Sequence, residues 1–189
     1  VYGYPLVYAL DEVVGFVEGT GHLPVSAPWN TFGAARDLLG PETKFVSPNN
    51  DTLYLVAMGD VQAAPLLLEV PDTDGRYYVL QFVDAWTNNF AYVGKRATGT
   101  GPGRYLLAAA GYDGEVPDGA VAIRVPTGVF SIVGRVQVDG PDDLDAVRAL
   151  QDRFTLTSLE PTATPVGVPT PDDGVAEDLR WWETFRVRL

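Results

Sequence analysis

The sequence predicts a mainly β protein, either an antiparallel β-sandwich or a jelly-roll-like domain, with a few flanking helices. Eight short runs rich in β-branched and aromatic residues fill the middle of the chain, separated by Gly, Pro, Asp and Asn. No helix-length segment lies between these runs to supply the crossovers that a parallel sheet needs. The apolar fraction of 46% and the charged fraction of 20% are typical of a folded globular domain.

Two amphipathic segments ahead of the strands are predicted as helices. From Pro5 to Glu18, apolar residues recur at three- and four-residue spacing, and Gly19 follows as a C-cap. Asn30 offers an N-cap side chain to the segment TFGAARDLL, which a Gly-Pro pair would end. The sequence therefore predicts a long first helix and a short second one.

The strand-like runs begin with KFV at residues 44–46 and continue through DTLYLVAMG, LLLEV, RYYVLQFV, NFAYVG, RYLLAAA, AVAIRV and VFSIVGRVQV. After them, the segment PDDLDAVRALQDRF returns to helical spacing. Its acidic residues lie in the first turn and its arginines late, as the helix dipole favours. A further helix is therefore expected after the last of these strands.

The chain is predicted to divide into a β-rich body at residues 1–159, a proline-rich linker at 160–175 and an amphipathic segment at 176–189. Leu179, Trp182, Phe185 and Leu189 fall on one helical face in this last segment. We expect that stripe to dock on the body, on a second domain or on a partner chain. The apolar residues at both ends favour a chain that is part of a longer protein.

Composition excludes several classes of function. The net charge of −12 would repel nucleic acid and anionic membranes, and no apolar run reaches the length of a membrane span. The absence of cysteine and the single histidine, His22, exclude thiolate chemistry and metal centres built from several Cys or His ligands. No cofactor is predicted, and any metal would be an oxygen-ligated ion such as Ca²⁺. Without cysteine, redox chemistry gives no indication of the compartment.

The first polar cluster is SPNNDTLY, which includes Asn49, Asn50, Asp51 and Tyr54. Asn and Asp are common in tight turns because their side chains bond to nearby backbone and tolerate positive φ. Two amides, a carboxylate and a phenol at the mouth of a strand are also typical of a binding site. The turn and the binding site are both open interpretations of this cluster.

The second polar cluster lies in VDAWTNNFAYVGKR and includes Asp84, Trp86, Asn88 and Arg96. A hairpin end with a packing tryptophan accounts for these residues. An indole beside a carboxylate and amides is also typical of a sugar site or a cation site. We expect the two clusters to line one cleft.

Three arginines, Arg76, Arg96 and Arg135, each follow or end a strand-like run. Because the chain has 25 acidic residues, a structural ion pair is the expected use of each of them. Arg96 is also assigned to ligand binding, as part of the second polar cluster.

The segments YPLVYA, VSPNNDTLY, RYYVLQFVDAWTNNFAYVGKRATG, GRYLLAA and VGRVQV, in this order, resemble a bacterial family known as domain of unknown function 1254. The resemblance runs from about Tyr2 to Leu159. It implies a β-sandwich or jelly-roll-like domain that is commonly followed by a second β domain. It implies no settled activity.

Two functions from different classes follow from these observations. In the first, Asp51 and Asp84 form a catalytic carboxylate pair, or bind Ca²⁺, and act on a small neutral or polar ligand such as a glycan. The ligand would be held by Asn49, Asn50, Tyr54, Trp86, Asn88 and Arg96. In the second, the domain is a non-catalytic module that pairs with a second domain. Carboxylates within about 10 Å of each other would favour the enzyme.

Overall fold

The structure is a computed structural model that describes residues 2–41, 43 and 48–189. This part of the chain contains nine strands and three α-helices. In chain order they are α1 (Tyr4–Glu18), β1 (Phe32–Ala34), β2 (Thr52–Asp60), β3 (Leu66–Val70), β4 (Tyr78–Asp84), β5 (Asn89–Gly94), β6 (Gly103–Ala109), β7 (Ala120–Val125), β8 (Val129–Gln137), α2 (Leu144–Gln151), β9 (Thr155–Ser158) and α3 (Arg180–Arg188).

The strands form two sheets that enclose a shared core. The first sheet has the order β1-β2-β8-β4-β5 and the second has the order β7-β6-β3-β9. All neighbouring strands are antiparallel except β6 and β7, which run parallel and are joined by residues 110–119. The protein is therefore mainly β with flanking helices, which confirms the predicted fold class.

The core lies between the two sheets because each strand turns every second side chain inward. In β4 and β8 the pattern is regular, and Leu80, Phe82 and Ile132 are fully buried. From the opposite sheet, β3 and β6 contribute Leu66, Leu68 and Leu107 to the same cluster. Helix α2 closes one side with Val147 and Leu150.

The predicted first helix is confirmed as α1, which ends at a left-handed Gly19 with φ 73°. Its apolar face packs on the outer side of the first sheet, where Val13 and Phe16 contact Tyr54, Val56 and Met58 of β2. Leu6 and Leu10 of the same helix pack with Ala85 and Val129 at one end of the sheet.

The predicted second helix, TFGAARDLL, is wrong. Phe32–Ala34 forms the edge strand β1 instead, with Ala34 opposite Leu55 in β2. Asn30 adopts a left-handed φ of 59°, and its side chain accepts a hydrogen bond from the Asp60 backbone N–H, so it is not a helix cap. Pairing with the open edge of β2 outweighs the modest helix propensity of this segment.

The other predicted strands and helices differ in how they compare with the structure. The runs from DTLYLVAMG to VFSIVGRVQV are confirmed as β2 to β8, and the helix after β8 is confirmed as α2. The run KFV lies outside the described residues. The sequence analysis missed β9, in which Thr155–Ser158 pairs with β3, because its four residues alternate only weakly between apolar and polar.

The last thirty residues run along the body. The Gly167 N–H donates to the buried carboxylate of Asp60, and Val168 packs among the apolar residues on the outer face of the first sheet. Helix α3 lies on α1, where the Phe185 ring packs close to Gly3 and Arg188 pairs with Asp11. No helix in the described residues is both long enough and apolar enough to cross a membrane.

Candidate functional site

The two polar clusters lie at opposite ends of the first sheet. Strands β2 and β4 both run antiparallel to β8, with Thr52 opposite Gln137 and Asp84 opposite Phe130. Gln137 and Phe130 are seven positions apart along β8, which is about 23 Å at 3.3 Å per residue. The prediction of one shared cleft is wrong, and Asp51 and Asp84 are too far apart to act as a carboxylate pair.

The carboxylate of Asp84 closes the turn between β4 and β5. It is buried and accepts hydrogen bonds from the Trp86 N–H at 2.9 Å, the Asn88 N–H at 2.9 Å and the Asn88 side-chain amide at 3.1 Å. Thr87 completes the turn with a φ of 69°. The lone pairs of Asp84 are therefore engaged in holding the loop that presents Trp86.

Asn49 organises the turn that leads into β2. Its side-chain oxygen accepts from the Thr52 N–H at 2.9 Å and from the Thr52 hydroxyl at 2.6 Å, and its own N–H donates to the Tyr54 hydroxyl at 3.3 Å. The Asn49 side-chain nitrogen is buried with no hydrogen-bond partner among the described residues. Asn50 and Asp51 are exposed at the same end of the sheet.

Arg135 lies on the outer face of the first sheet next to this turn. Its guanidinium carbon is 5.5 Å from the ring centroid of Tyr54. The Arg135 Nε is buried without a hydrogen-bond acceptor, and the described part of the chain contains no carboxylate paired with this side chain. The expected structural ion pair is therefore not found for Arg135.

Arg96 reaches the same face from the turn after β5. The Gly94 carbonyl accepts hydrogen bonds from the N–H groups of Ala97, Thr98 and Gly99, and the Thr98 hydroxyl accepts from the Gly94 N–H. This tight turn holds the Arg96 guanidinium carbon 5.6 Å from the ring centroid of Tyr77. Like Arg135, Arg96 has no ion pair among the described residues.

The two arginines line one pocket of about 430 Å³ on the outer face of the first sheet. Val79 of β4 lies opposite both Arg135 and Gly94, so the sheet register places Arg135 close to the turn that carries Arg96. Tyr77, Gln81 and Tyr92 complete the polar lining. This arrangement offers cationic fork donors beside aromatic rings, which suits a ligand with a carboxylate or another planar anionic group.

Arg76, in contrast, forms the expected structural ion pair. Its guanidinium donates to both carboxylate oxygens of Asp143, one of them at 2.8 Å, and to the Gln137 carbonyl at 2.9 Å. The hydrogen bonds from Arg76 lower the pKa of Asp143 below its usual range, against the opposing effect of burial. The pair anchors the segment before α2 to the end of β8.

The residues that the sequence analysis assigned to one site therefore lie at different places in the fold. Arg96 lines the pocket, while Tyr54 and Asn49 support it from below, and Trp86 lines a different pocket at the other end of the sheet. Sequence reasoning missed Arg135 as a candidate binding residue, although Arg135 alternates along β8 with the buried Gly134 and Val136 and therefore faces outward. In residues 2–41, 43 and 48–189, no three Asp, Glu or His side chains are grouped to hold a metal ion.

Comparison with known protein families shows to which family the chain belongs. The profile described as protein of unknown function DUF1254 matches residues 29–158, more than half of the sequence. The chain belongs to the DUF1254 family. This confirms the resemblance drawn from the sequence segments, although the matched range begins later than Tyr2. No curated protein shows significant similarity to this DUF1254 chain.

Two solved structures are similar to this DUF1254 chain. The VPA0106 protein from Vibrio parahaemolyticus matches with a TM-score of 0.76 and 27% identity over 97% of this chain. A putative uncharacterized protein from Burkholderia cenocepacia matches with a TM-score of 0.47 and 13% identity over 99% of this chain. The chain spans less than half the length of these relatives, 43% and 46% respectively.

Proposed function

We propose that this DUF1254 domain binds a small molecule that carries a carboxylate, on the outer face of its first sheet. The observation that carries the proposal is the state of Arg135, whose buried Nε has no acceptor among the described residues of a chain with a net charge of −12. A buried unpaired donor costs free energy. A bound carboxylate would remove that cost by accepting from the guanidinium.

The neighbours of Arg135 support a ligand with both an acid and a ring. Arg96 adds a second cation, and the rings of Tyr77 and Tyr92 offer flat surfaces beside it. A sugar acid such as glucuronate combines a carboxylate with a ring that can stack on tyrosine. This narrows the neutral or glycan-type ligand expected from the sequence to an acidic one.

The proposal is binding, without hydrolysis. The described lining of the pocket contains Arg, Tyr and Gln side chains but no carboxylate or imidazole that could act as a general base or a nucleophile. Asp84 is engaged in its turn and lies at the far end of the sheet. The hydrolase-like reaction considered from the sequence therefore has no support at this site.

The experiment is a binding titration of the chain with glucuronate, and with glucose as the neutral comparison. Saturable binding of glucuronate is expected, with shifts of the NMR signals of Tyr77 and Tyr92. Arg135→Gln should weaken binding about tenfold or more, since a charge-assisted hydrogen bond contributes about 1.5–3 kcal/mol. Arg153→Gln, an equal charge change at an exposed arginine, is the control. Equal affinity for glucose, or equal effects of the two variants, would refute the proposal.

A second function is favoured by a different surface. The rings of Tyr4, Trp181 and Trp182 line an open apolar pocket of about 590 Å³ between α1 and α3, and Trp182 is 62% exposed. Because the chain spans 43% of the VPA0106 chain, we propose that a further domain of a longer polypeptide covers this surface. In a protein that contains both domains, Trp182→Ser should speed the hydrogen exchange of the backbone amides of Tyr4 and Tyr8. An unchanged exchange pattern would argue against the contact.

A further inference from the structure

A second pocket, of about 340 Å³, lies at the Asp84 end of the first sheet. It is lined by residues of α1, the turns that follow β2, β4 and β7, the segment at residues 167–169 and the end of α3. Its volume is at the lower end of the range for ligand pockets, about 300–1,000 Å³. The fit is therefore to a small molecule.

One side of this pocket is apolar. Leu6, Leu10, Ala85 and Val129 belong to one buried cluster and are each at most 8% exposed, and Trp86 and Val168 pack against that cluster. Such a wall favours an aliphatic or aromatic ligand body, because binding there removes apolar groups of the ligand from water.

Among the described residues, one charged side chain lines the pocket. Arg188 has a side chain only 7% exposed, and its Nη1 donates to the Val7 carbonyl at 3.1 Å and to the Asp11 carboxylate at 2.6 Å. Its Nε is buried and has no hydrogen-bond partner among the described residues, and no partner for Nη2 is found there either. One edge of this guanidinium is therefore anchored on α1 and the other edge is unused.

The unused edge has a defined geometry. In a guanidinium group, Nη1 lies on the side of Cδ, so the N–H bonds of Nε and Nη2 point in the same direction. That edge is the planar fork that receives both oxygens of one carboxylate. Because the contacts of Nη1 fix the plane of the group, the fork is preorganised for such a ligand.

Several other polar groups near the pocket already have partners. Thr127 accepts from the Ala85 N–H and donates to the Val129 carbonyl, and the Gln62 amide donates to the Gly167 carbonyl. The two carboxylates at this end, Asp60 and Asp84, accept backbone N–H groups. Arg188 is thus the charged group in the described lining with donors left for a ligand.

We infer that this pocket is a second binding site, separate from the Arg135 pocket, for a small carboxylic acid with an apolar body. The carboxylate lies on the Nε and Nη2 edge of Arg188, and the apolar body lies against Leu6, Leu10, Val129 and Trp86. The class of ligand is a short aliphatic or aromatic acid.

The test uses the full chain and hexanoate as the probe, with hexan-1-ol as the neutral probe of the same length. Hexanoate is expected to bind saturably, at least about tenfold more tightly than the alcohol, and to shift the indole N–H signal of Trp86 in NMR spectra. Equal binding of acid and alcohol, no saturation, or shifts confined to Tyr77 and Tyr92 would each overturn the proposal.

Two lysine variants on α3 isolate the fork. Arg188→Lys keeps the charge that pairs with Asp11 but removes the two parallel donors, so hexanoate should bind about tenfold more weakly. Arg186→Lys is the matched control, since Arg186 is 70% exposed and pairs with Glu183 on the same helix. Circular dichroism confirms that both variants are folded. Equal hexanoate affinity of the two variants would contradict the assigned role of Arg188.

Discussion

The guanidinium carbon of Arg135 lies 5.5 Å from the ring centroid of Tyr54, and Tyr54 itself is only 2% exposed. The Tyr54 hydroxyl in turn accepts a hydrogen bond from the Asn49 N–H. The turn before β2, the buried phenol and the outward arginine therefore form one continuous support for the pocket on the first sheet. This explains how the segment SPNNDTLY can contribute to a site that its exposed residues do not line.

Because the ring of Tyr54 supports Arg135, two Tyr54 variants should differ in their effect on ligand binding. Tyr54→Leu removes the ring under Arg135 and should weaken glucuronate binding severalfold, because a cation–π contact contributes about 0.5–2 kcal/mol. Tyr54→Phe keeps the ring and should bind nearly as well as the unmodified chain. Calorimetric titration of both variants measures the difference. A Phe variant as weak as the Leu variant would mean that the hydroxyl, and not the ring, positions Arg135.

The turn role of Asp84 predicts a loss of stability on substitution. Asp84→Ala leaves the N–H groups of Trp86 and Asn88 without their acceptor, so the free energy of unfolding should fall by about 1–3 kcal/mol. Asp51→Ala changes an exposed side chain and should stay within about 0.5 kcal/mol of the unmodified chain. Urea unfolding measures both. Similar values for the two variants would contradict the different roles assigned to these carboxylates.

The fold could be predicted from the sequence further than the site could. Alternating burial in β4 and β8 follows from their residue patterns, and the roles of Asn49 and Asp84 in turns follow from local chemistry. The order of the strands in the sheet does not follow from the residue pattern. Because β2 and β4 run in the same direction on either side of β8, the start of one strand and the end of the other lie far apart.

The same limit applies to the arginines and to β1. Arg76 and Arg135 occur in similar sequence contexts, yet Asp143 reaches only Arg76 through the fold, which leaves Arg135 unpaired among the described residues. The segment from Phe32 to Ala34 is a strand because β2 offers it an open edge. Each of these outcomes depends on contacts between residues far apart in the chain, which a local pattern does not contain.

The Arg76–Asp143 pair predicts a pH-dependent contribution to stability. Because hydrogen bonds from Arg76 lower the pKa of Asp143 in the folded chain, the pair stabilises the fold above the unfolded pKa of about 3.9, and this contribution is lost as the pH falls through the lower folded value. At pH 7, Asp143→Asn should reduce the free energy of unfolding by about 1–2 kcal/mol, since the pair is partly screened by solvent.

The measurement is urea unfolding of Asp143→Asn between pH 7 and pH 3. The difference from the unmodified chain should shrink below about pH 4, because the Asp143 carboxyl of the unfolded chain then takes up a proton while the folded carboxylate, with its lower pKa, stays charged. Asp113→Asn, an exposed carboxylate change, should show a small and nearly constant difference. A difference for Asp143→Asn that grows with acidity would have the wrong sign for this pair.

Calcium is the metal that the sequence leaves open, and the arrangement of acids predicts little effect of it. The described residues contain no group of three Asp, Glu or His side chains, and Asp84 is already hydrogen-bonded. Addition of 1 mM Ca²⁺, or of EDTA, should therefore leave the melting temperature unchanged within about 1 °C, since a ligand stabilises only when its concentration exceeds its Kd. A rise of several degrees with Ca²⁺ would indicate an oxygen-ligated site.

Two aromatic residues of helix α3 are expected to differ in how much they contribute to stability. Phe185 packs on the buried cluster of Leu6 and Leu10, so Phe185→Ala should lower the free energy of unfolding by about 2–3 kcal/mol, less than the cost of a fully buried phenylalanine. Trp182 is 62% exposed and should cost less than about 1 kcal/mol when changed to Ala. Urea unfolding of the two variants tests whether α3 is held to α1 by one face only. If Trp182→Ala were as destabilising as Phe185→Ala in this chain, the aromatic surface would already be covered by the chain itself, and there would be no reason to expect a further domain there.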